Sequence, residues 1–292
     1  MSNLLHDGAL QVFDVDHGQC ALLTMPTSWG TTYRVLIDCG HAVNFRGGPW
    51  YPGEHLRSMG VSYVDMLVCT NFDEDHMSGF PDLEERGITI GCLLGNPSVA
   101  PETIVKLKTE DGRDNLGRGI EAVARSLALR RDIGWRQVPP QIPGVHMIWT
   151  WNRYPTFEDE NNLSLVFTLD VFGHRFMFPG DMECGGWRQL LQSQQFWPVL
   201  SGVEVLVAAH HGRKSGVCPE MFSVYGCKPK VIVISDDYKQ YETQETTNFY
   251  GSKASGISGF RTDIGLRKVL TTRCDGPLTI HDSAASPPSM KA

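Results

Sequence analysis

Three stretches of the chain carry residue types that could hold a metal ion. The densest is Thr70-Asn71-Phe72-Asp73-Glu74-Asp75-His76-Met77-Ser78-Gly79. Asp73 and Asp75 stand at i and i+2, and His76 follows the second directly. Asp73, Glu74 and Asp75 repel one another if left empty. A divalent cation relieves that repulsion and takes the imidazole as a ligand. The plainer alternative is a solvated acidic turn in which His76 caps a helix. The second stretch is Phe178-Pro179-Gly180-Asp181, whose single carboxylate also suits an ordinary turn. The third is His210-His211-Gly212, a histidine pair straight after Val-Leu-Val-Ala-Ala.

All three stretches follow apolar runs that read as buried strands: 64–69, 174–179 and 203–209. Strand ends are rigid, and those of one sheet system converge on a common rim, so side chains placed there can be aimed. The rest of the chain supplies the framework. Residues 9–24 read as two strands broken at His17-Gly18, and 33–40 as a third. Asp14 and Asp38 near their ends read as turn-capping carboxylates. Residues 54–60 and 82–87 suit short helices stopped by glycine, and 88–94 suits a strand. The part from 96 to 160 is the least regular and reads as a helical insertion. Within it, 117–131 is amphipathic, with Ile120, Val123, Ala124 and Leu127 on one face. Beyond it come a strand pair at 162–170 and 174–179, a helix over 185–200, and strands at 203–209, 230–235 and 277–281. This alternation predicts an α/β fold with two sheets packed between helices, in one domain over 1–282. The Ala, Ser and Pro-rich tail, 283–292, is expected to be disordered.

Composition bounds the class. Hydrophobic residues make up 41% and charged residues 20%, as in a globular protein. No apolar run approaches the roughly 18–20 residues that span a bilayer, and the N-terminus lacks a secretory pattern. Eight cysteines without a C-x-x-C pair suit reduced thiols better than a disulfide framework or a zinc-thiolate site, which places the protein in the cytoplasm. The net charge of -7 means that any contact with a polyanion must be local. The most basic stretch holds Arg113, Arg118, Arg125, Arg130, Arg131 and Arg136. It reads either as a solvated helix face or as a phosphate-contacting surface. Phe45, Trp50 and Tyr51, in a loop, either pack or stack on a ligand.

Taken in order, these motifs resemble the metallo-β-lactamase superfamily. Within it they look most like the C-terminal hydrolase domain of ComEC-type DNA-uptake competence proteins. The superfamily's H-x-H-x-D-H, with aspartate at the second ligand position in the competence branch, matches Asn71-Phe72-Asp73-Glu74-Asp75-His76. D-V-G-x-G-D-A is approximated by Asp14-Val15-Asp16-His17-Gly18-Gln19-Cys20, and L-I-D-x-G by Leu36-Ile37-Asp38-Cys39-Gly40. N-x-S-L-V appears at Asn162-Leu163-Ser164-Leu165-Val166, preceded by Asn161. The bridging G-D matches Gly180-Asp181, H-H-G-S matches His210-His211-Gly212-Arg213, and a looser T-x-x-D-G lies at 271–276. The resemblance runs from about residue 9 to 282 and implies a metallo-β-lactamase αββα sandwich.

It implies a site as well. The expected metal ligands are Asp73, Asp75, His76, Asp181, His210 and His211, with His211 preferred of the pair. Asp73 or Asp75 would orient the attacking water. Asn71, Asn162, Arg213 and Lys214 are the expected substrate contacts. Asn71 stands where the superfamily has its first histidine ligand, and Asn161 or Asn162 where many members have another. One firm metal and a labile second are therefore expected, manganese somewhat ahead of zinc because carboxylates suit harder ions. The implied activity is a cytoplasmic metal-dependent phosphodiesterase acting on nucleic acid, DNA above all, with a protein partner supplying substrate access and no membrane. A hydrolase of a small ester, lactone or phosphorylated metabolite is the second reading, and a scaffold with an impaired site the third.

Overall fold

The computed structural model describes residues 8–110, 116–135, 137–237, 245–261, 265–281 and 289–291. Arg113 and Arg136, of the basic stretch, lie outside them, as do 282–288 and 292. The first sheet begins with a meander, β1 (Ala9–Val12), β2 (Ala21–Pro26) and β3 (Thr32–Ile37). After helix α1 (Pro52–Ser58) it continues through β4 (Tyr63–Val68), α2 (Glu74–Met77), α3 (Phe80–Glu85) and β5 (Thr89–Leu94). Helices α4 (Pro101–Glu110) and α5 (Arg118–Asp132) follow.

The second sheet holds β6 (His146–Trp151), β7 (Leu165–Val171) and β8 (His174–Phe178). It goes on through α6 (Cys184–Leu190), α7 (Trp197–Ser201), β9 (Val205–Val207), α8 (Pro219–Ser223) and β10 (Val231–Ile234). Last come α9 (Thr247–Lys253), β11 (Val269–Thr271), α10 (Thr272–Asp275), β12 (Leu278–His281) and β13 (Ser289–Lys291). The strand orders are β13-β12-β1-β2-β3-β4-β5 and β11-β10-β9-β8-β7-β6. Both sheets are mixed: β3-β4-β5 and β8-β9-β10-β11 run parallel, and the other pairs antiparallel.

Three apolar layers explain this arrangement. The central one joins the facing sides of both sheets, with Leu10, Val35 and Val68 from one and Phe167, Phe178 and Val233 from the other. A second layer packs Leu56, Leu83, Ile120 and Val123 of the helices onto the outer face of the first sheet. A third packs Trp187, Leu200 and Met221 onto the outer face of the second. Strands buried on both faces read as continuous apolar runs, which is how β9 and β10 look in the sequence.

The structure departs from the sequence reading in four places. The helix expected over 185–200 is two short ones separated by turns, with Pro198 in the first turn of α7, where its missing N–H costs no helical hydrogen bond. The irregular stretch contains α4 and contributes β6, an edge strand of the second sheet. Strand β11 has three residues, too few for any periodic signal. Residues 289–291, within the tail expected to be disordered, pair with β12 as β13. No helix among the described residues is long and apolar enough to cross a membrane.

Candidate metal centre

The acidic loop leaves the end of β4 and is clamped from both sides by backbone. Cys39 N–H donates to the His76 carbonyl at 2.8 Å, and Gly79 N–H to the Cys39 carbonyl at 2.8 Å. Two glycines let neighbouring segments approach. A Cβ on Gly40 would lie 2.4 Å from the Asp75 carbonyl, and one on Gly18 would lie 2.5 Å from it. The glycines of both opening motifs therefore serve close approach to the loop that carries Asp75. Glu74, between the two aspartates, turns away. Its carboxylate accepts from Gly119 N–H at 3.0 Å and Ile120 N–H at 3.1 Å, at the start of α5. Those N–H groups have no partner within the helix, and the dipole there favours negative charge.

Asp75, His76, Asp181 and His211 each offer one ligand atom, and these atoms lie within 4.8 Å of one another. His76 Nε2 is 3.0 Å from Asp181 Oδ1. His211 Nε2 is 3.1 Å from Asp75 Oδ2 and 3.4 Å from Asp181 Oδ1. The far nitrogens are anchored. His76 Nδ1 lies 2.9 Å from Asp38 Oδ2, and His211 Nδ1 lies 3.0 Å from the Ser235 carbonyl. A proton on each Nδ1 leaves both Nε2 lone pairs facing the carboxylates. His211 Nε2 is buried and makes no hydrogen bond, although two carboxylates flank it. An orphaned imidazole lone pair among carboxylate oxygens fits a divalent cation.

The charges say the same. Burial alone would lower His76, but Asp181 and Asp38 hold it well above its ordinary value. His211 is likewise lifted against burial, by Asp181 and Asp75. Burial would raise Asp181, yet His76 and His211 hold it far below the usual carboxylate range. The buried carboxylates call for positive charge between them, which imidazolium protons or a metal ion can supply.

No family model matches the chain. Over 248 residues it is 23% identical to ComE operon protein 3 of Bacillus subtilis (strain 168). That match takes in 80% of this chain and 29% of the other, so the chain spans under a third of that protein's length. Among solved structures, CmlA, a diiron β-hydroxylase from Streptomyces venezuelae, aligns with a TM-score of 0.51 at 11% identity. The alignment covers 94% of this chain and 54% of that one. The fold is the metallo-β-lactamase sandwich. Within it, the chain resembles the ComEC type.

In this metallo-β-lactamase rim the other expected residues take different places. His210 Nε2 is 3.9 Å from Asp181 Oδ2 but accepts from Arg213 at 3.2 Å, so its lone pair is engaged. Its Nδ1 lies 2.9 Å from Ser215 Oγ and 3.2 Å from Glu183 Oε1. Both histidines have left-handed backbone, φ 51° and 50°, a strained turn at the rim. Asp73, expected as a ligand and water-orienting group, is outside the four-donor group, and Lys108 Nζ closes on its carboxylate.

Asn71 and Asn162, expected to touch substrate, are buried in the framework. Asn71 accepts from Asp73 N–H at 2.7 Å and donates to Ser164 Oγ at 3.1 Å. Asn162 Oδ1 accepts from Gly186 N–H at 2.7 Å. Arg213 lies at the rim and also donates to His17 Nε2 at 2.9 Å, while Lys214 is exposed beside it. Burial, with His211 next to it, pushes His17 down to about 4, so it stays a neutral acceptor.

Three roles were missed in the sequence. Asp38, read as a turn cap, positions His76 and also accepts from Thr70 N–H at 2.7 Å. Its strand runs parallel to β4, and that pairing puts both strand ends on one rim. Ser235 orients His211 through its carbonyl, and its hydroxyl donates to the Gly18 carbonyl at 2.6 Å. Lys108 carried no signal at all. Four arginines of the basic face have protein partners. Arg125 pairs with Glu84 at 2.7 Å, Arg131 with Glu102 at 2.8 Å and Arg118 with Glu85 at 3.4 Å. Arg130 donates to the Ile90 carbonyl at 2.7 Å. Trp50 packs on Phe13 at 4.7 Å and Tyr51 stacks on His41 at 4.9 Å between ring centroids, so these loop aromatics pack. Although no cysteines share a C-x-x-C spacing, Cys184, Cys218 and Glu220 do gather within 4.8 Å, with Glu220 held by Arg188 at 2.7 Å.

Proposed function

We propose that the chain is a metal-dependent phosphodiesterase that hydrolyses DNA. One observation carries the metal-dependent part: His76 and His211 turn fixed Nε2 lone pairs onto the carboxylates of Asp75 and Asp181. The nucleic-acid part rests on the likeness to the ComEC type. Asp75, His76, Asp181 and His211 would hold the ion, two imidazoles and two carboxylates that serve manganese and zinc alike. A bound divalent ion supplies Lewis acidity, bringing a water toward ionisation near neutral pH and polarising a phosphoryl oxygen.

The chain's own residues do the rest. Asp75 is the ligand carboxylate open to solvent, its side chain 32% exposed against 4% for Asp181. It accepts the proton of the attacking water as the new P–O bond forms and the ester P–O bond breaks. The leaving alkoxide takes a proton from solvent. Arg213, a partly buried guanidinium at the rim, binds a non-bridging phosphate oxygen by exchanging its imidazole acceptors for it. Lys214 adds a solvent-side charge. Asp38 and Ser235 hold the imidazole orientations throughout.

One observation favours a smaller phosphorylated substrate instead. Arg118, Arg125 and Arg131 are paired with glutamates, so the surface of α5 offers a long polyanion little free charge. A single assay separates the readings. Purified protein is incubated with labelled single- and double-stranded DNA and with a chromogenic phosphodiester, under manganese, zinc or chelator. An Asp75→Ala, His76→Ala variant runs beside it. Metal-dependent cleavage of DNA that vanishes in the variant is expected. Turnover of the small diester alone favours the small substrate, and no turnover of either abandons the hydrolase reading.

A further inference from the structure

The acidic loop carries a carboxylate that the four-donor group does not use. Asp73 closes on Lys108, which arrives from α4, 35 residues further along the chain. The Lys108 side chain is only 2% exposed, and its Nζ also lies 2.6 Å from Glu160 Oε1. A lysine almost always keeps its ammonium in water, and burying it carries a desolvation cost that convergent carboxylates must offset. Here two carboxylates converge on one buried ammonium, as oxygen ligands converge on a metal ion.

The pocket is tied to the metal centre by backbone and by field. Asn71 Oδ1 accepts from Asp73 N–H, Asn71 Nδ2 donates to Ser164 Oγ, and Ser164 Oγ accepts from Asp181 N–H at 3.0 Å. Asp73 and Asp181 are thus two ends of one hydrogen-bonded chain. Burial raises the Asp73 carboxyl, Lys108 draws it down, and Asp75 and Asp181 push it up again, so all three carboxylates share one electrostatic neighbourhood. On this side of the loop, the donors a second divalent ion could draw on are Asp73 and the neutral amide oxygen of Asn71. The first is held by Lys108, and the amide of Asn71 is spent on Asp73 and Ser164.

We propose that the Lys108 ammonium stands permanently in the place of a second cation, so that the centre takes one divalent ion and no more. This rests on the metal-dependent reading above. Lys108 acts through Asp73 and is a positioning residue: it balances the charge of the loop and withholds Asp73 from coordination. The arrangement replaces an exchangeable ion by a covalently tethered charge, so occupancy of that place does not depend on metal supply.

Counting ions tests it without any substrate. Manganese(II) is titrated into the wild-type chain, Lys108→Ala and Asp73→Asn, and free ion is followed by electron paramagnetic resonance. The wild type should take one equivalent. Lys108→Ala, with Asp73 and Glu160 freed, should take two, and the second should produce a spin-coupled pair signal. Asp73→Asn should still take one, with affinity within threefold of wild type, and this variant decides the matter even where Lys108→Ala fails to fold. Two equivalents in the wild type would overturn the inference, as would one in folded Lys108→Ala. So would loss of the ion, or a tenfold weaker affinity, in Asp73→Asn. No ion bound by the wild type would overturn the metal-dependent reading itself.

Discussion

On the Asp75 side of the acidic loop, two imidazoles face two carboxylates and every far nitrogen is anchored. On the Asp73 side, two residues away, an ammonium is already seated between carboxylates. Both aspartates sit beyond the same strand and both are partly exposed. The difference lies in what the rest of the fold brings to them. Asp75 meets His211, whose Nε2 makes no hydrogen bond although Asp75 Oδ2 lies 3.1 Å away, so an added cation improves the contact. Asp73 meets a cation that the chain supplies. Spacing along a loop can place two carboxylates at one rim, but the charge of the partner decides whether a carboxylate coordinates or only balances.

The comparison breaks first at Asp38. If the Asp75 side is a metal centre, the group behind His76 should matter for affinity. Asp38→Asn keeps an acceptor for Thr70 N–H but removes the charge that anchors His76 Nδ1. Loss of such a supporting carboxylate should weaken metal affinity about 10- to 100-fold, which competition with a chromophoric chelator would read. The folded far-ultraviolet spectrum should stay the same. An affinity equal to wild type would mean that His76 needs no anchoring by Asp38 to bind the ion.

The two sides were not equally legible in the sequence. Asp75, His76, Asp181 and His211 announced themselves because each follows an apolar run with a turn signal, and a strand end confines where a side chain can go. The sheets were legible for the same reason, since β4, β9 and β10 are short apolar runs bounded by breakers. Lys108 and Glu160 were not, because they lie in the least periodic part of the chain, and charge alone does not say which lysine turns inward. Asp38 was misread because a carboxylate after a strand serves turns as readily as imidazoles. Only the parallel pairing of β3 with β4 brings it behind His76. The partners of the α5 arginines were not legible because the glutamates come from α3 and α4, elements whose faces one sequence does not orient.

Glu74 offers a smaller, sharper contrast between the halves of the loop. Its carboxylate ties the loop to the first turn of α5 and touches neither cation position. Glu74→Gln keeps an acceptor oxygen but loses the charge that suits a helix N-terminus. Stability should fall by about 1 kcal/mol, read as a lower urea midpoint, with metal affinity unchanged. A large drop in affinity instead would place Glu74 with the coordinating side.

The smallest effect concerns the basic face of α5. Arg125 and Glu84 form a pair in which both side chains are largely exposed. Arg125→Ala should therefore change stability by about 0.5 kcal/mol or less. The more informative readout is salt. Each phosphate contact to duplex DNA contributes about 0.9 to the slope of log affinity against log salt. Arginines already paired with glutamates contribute little, so Arg118→Ala, Arg125→Ala and Arg131→Ala together should leave the slope for a duplex oligonucleotide within about 0.5 of wild type. A fall of 2 or more, by roughly the same rule, would show that the glutamates yield to phosphate and that α5 is a nucleic-acid surface. It would also remove the one structural argument for a small substrate and leave the metal centre feeding on a polymer that lies along the helix.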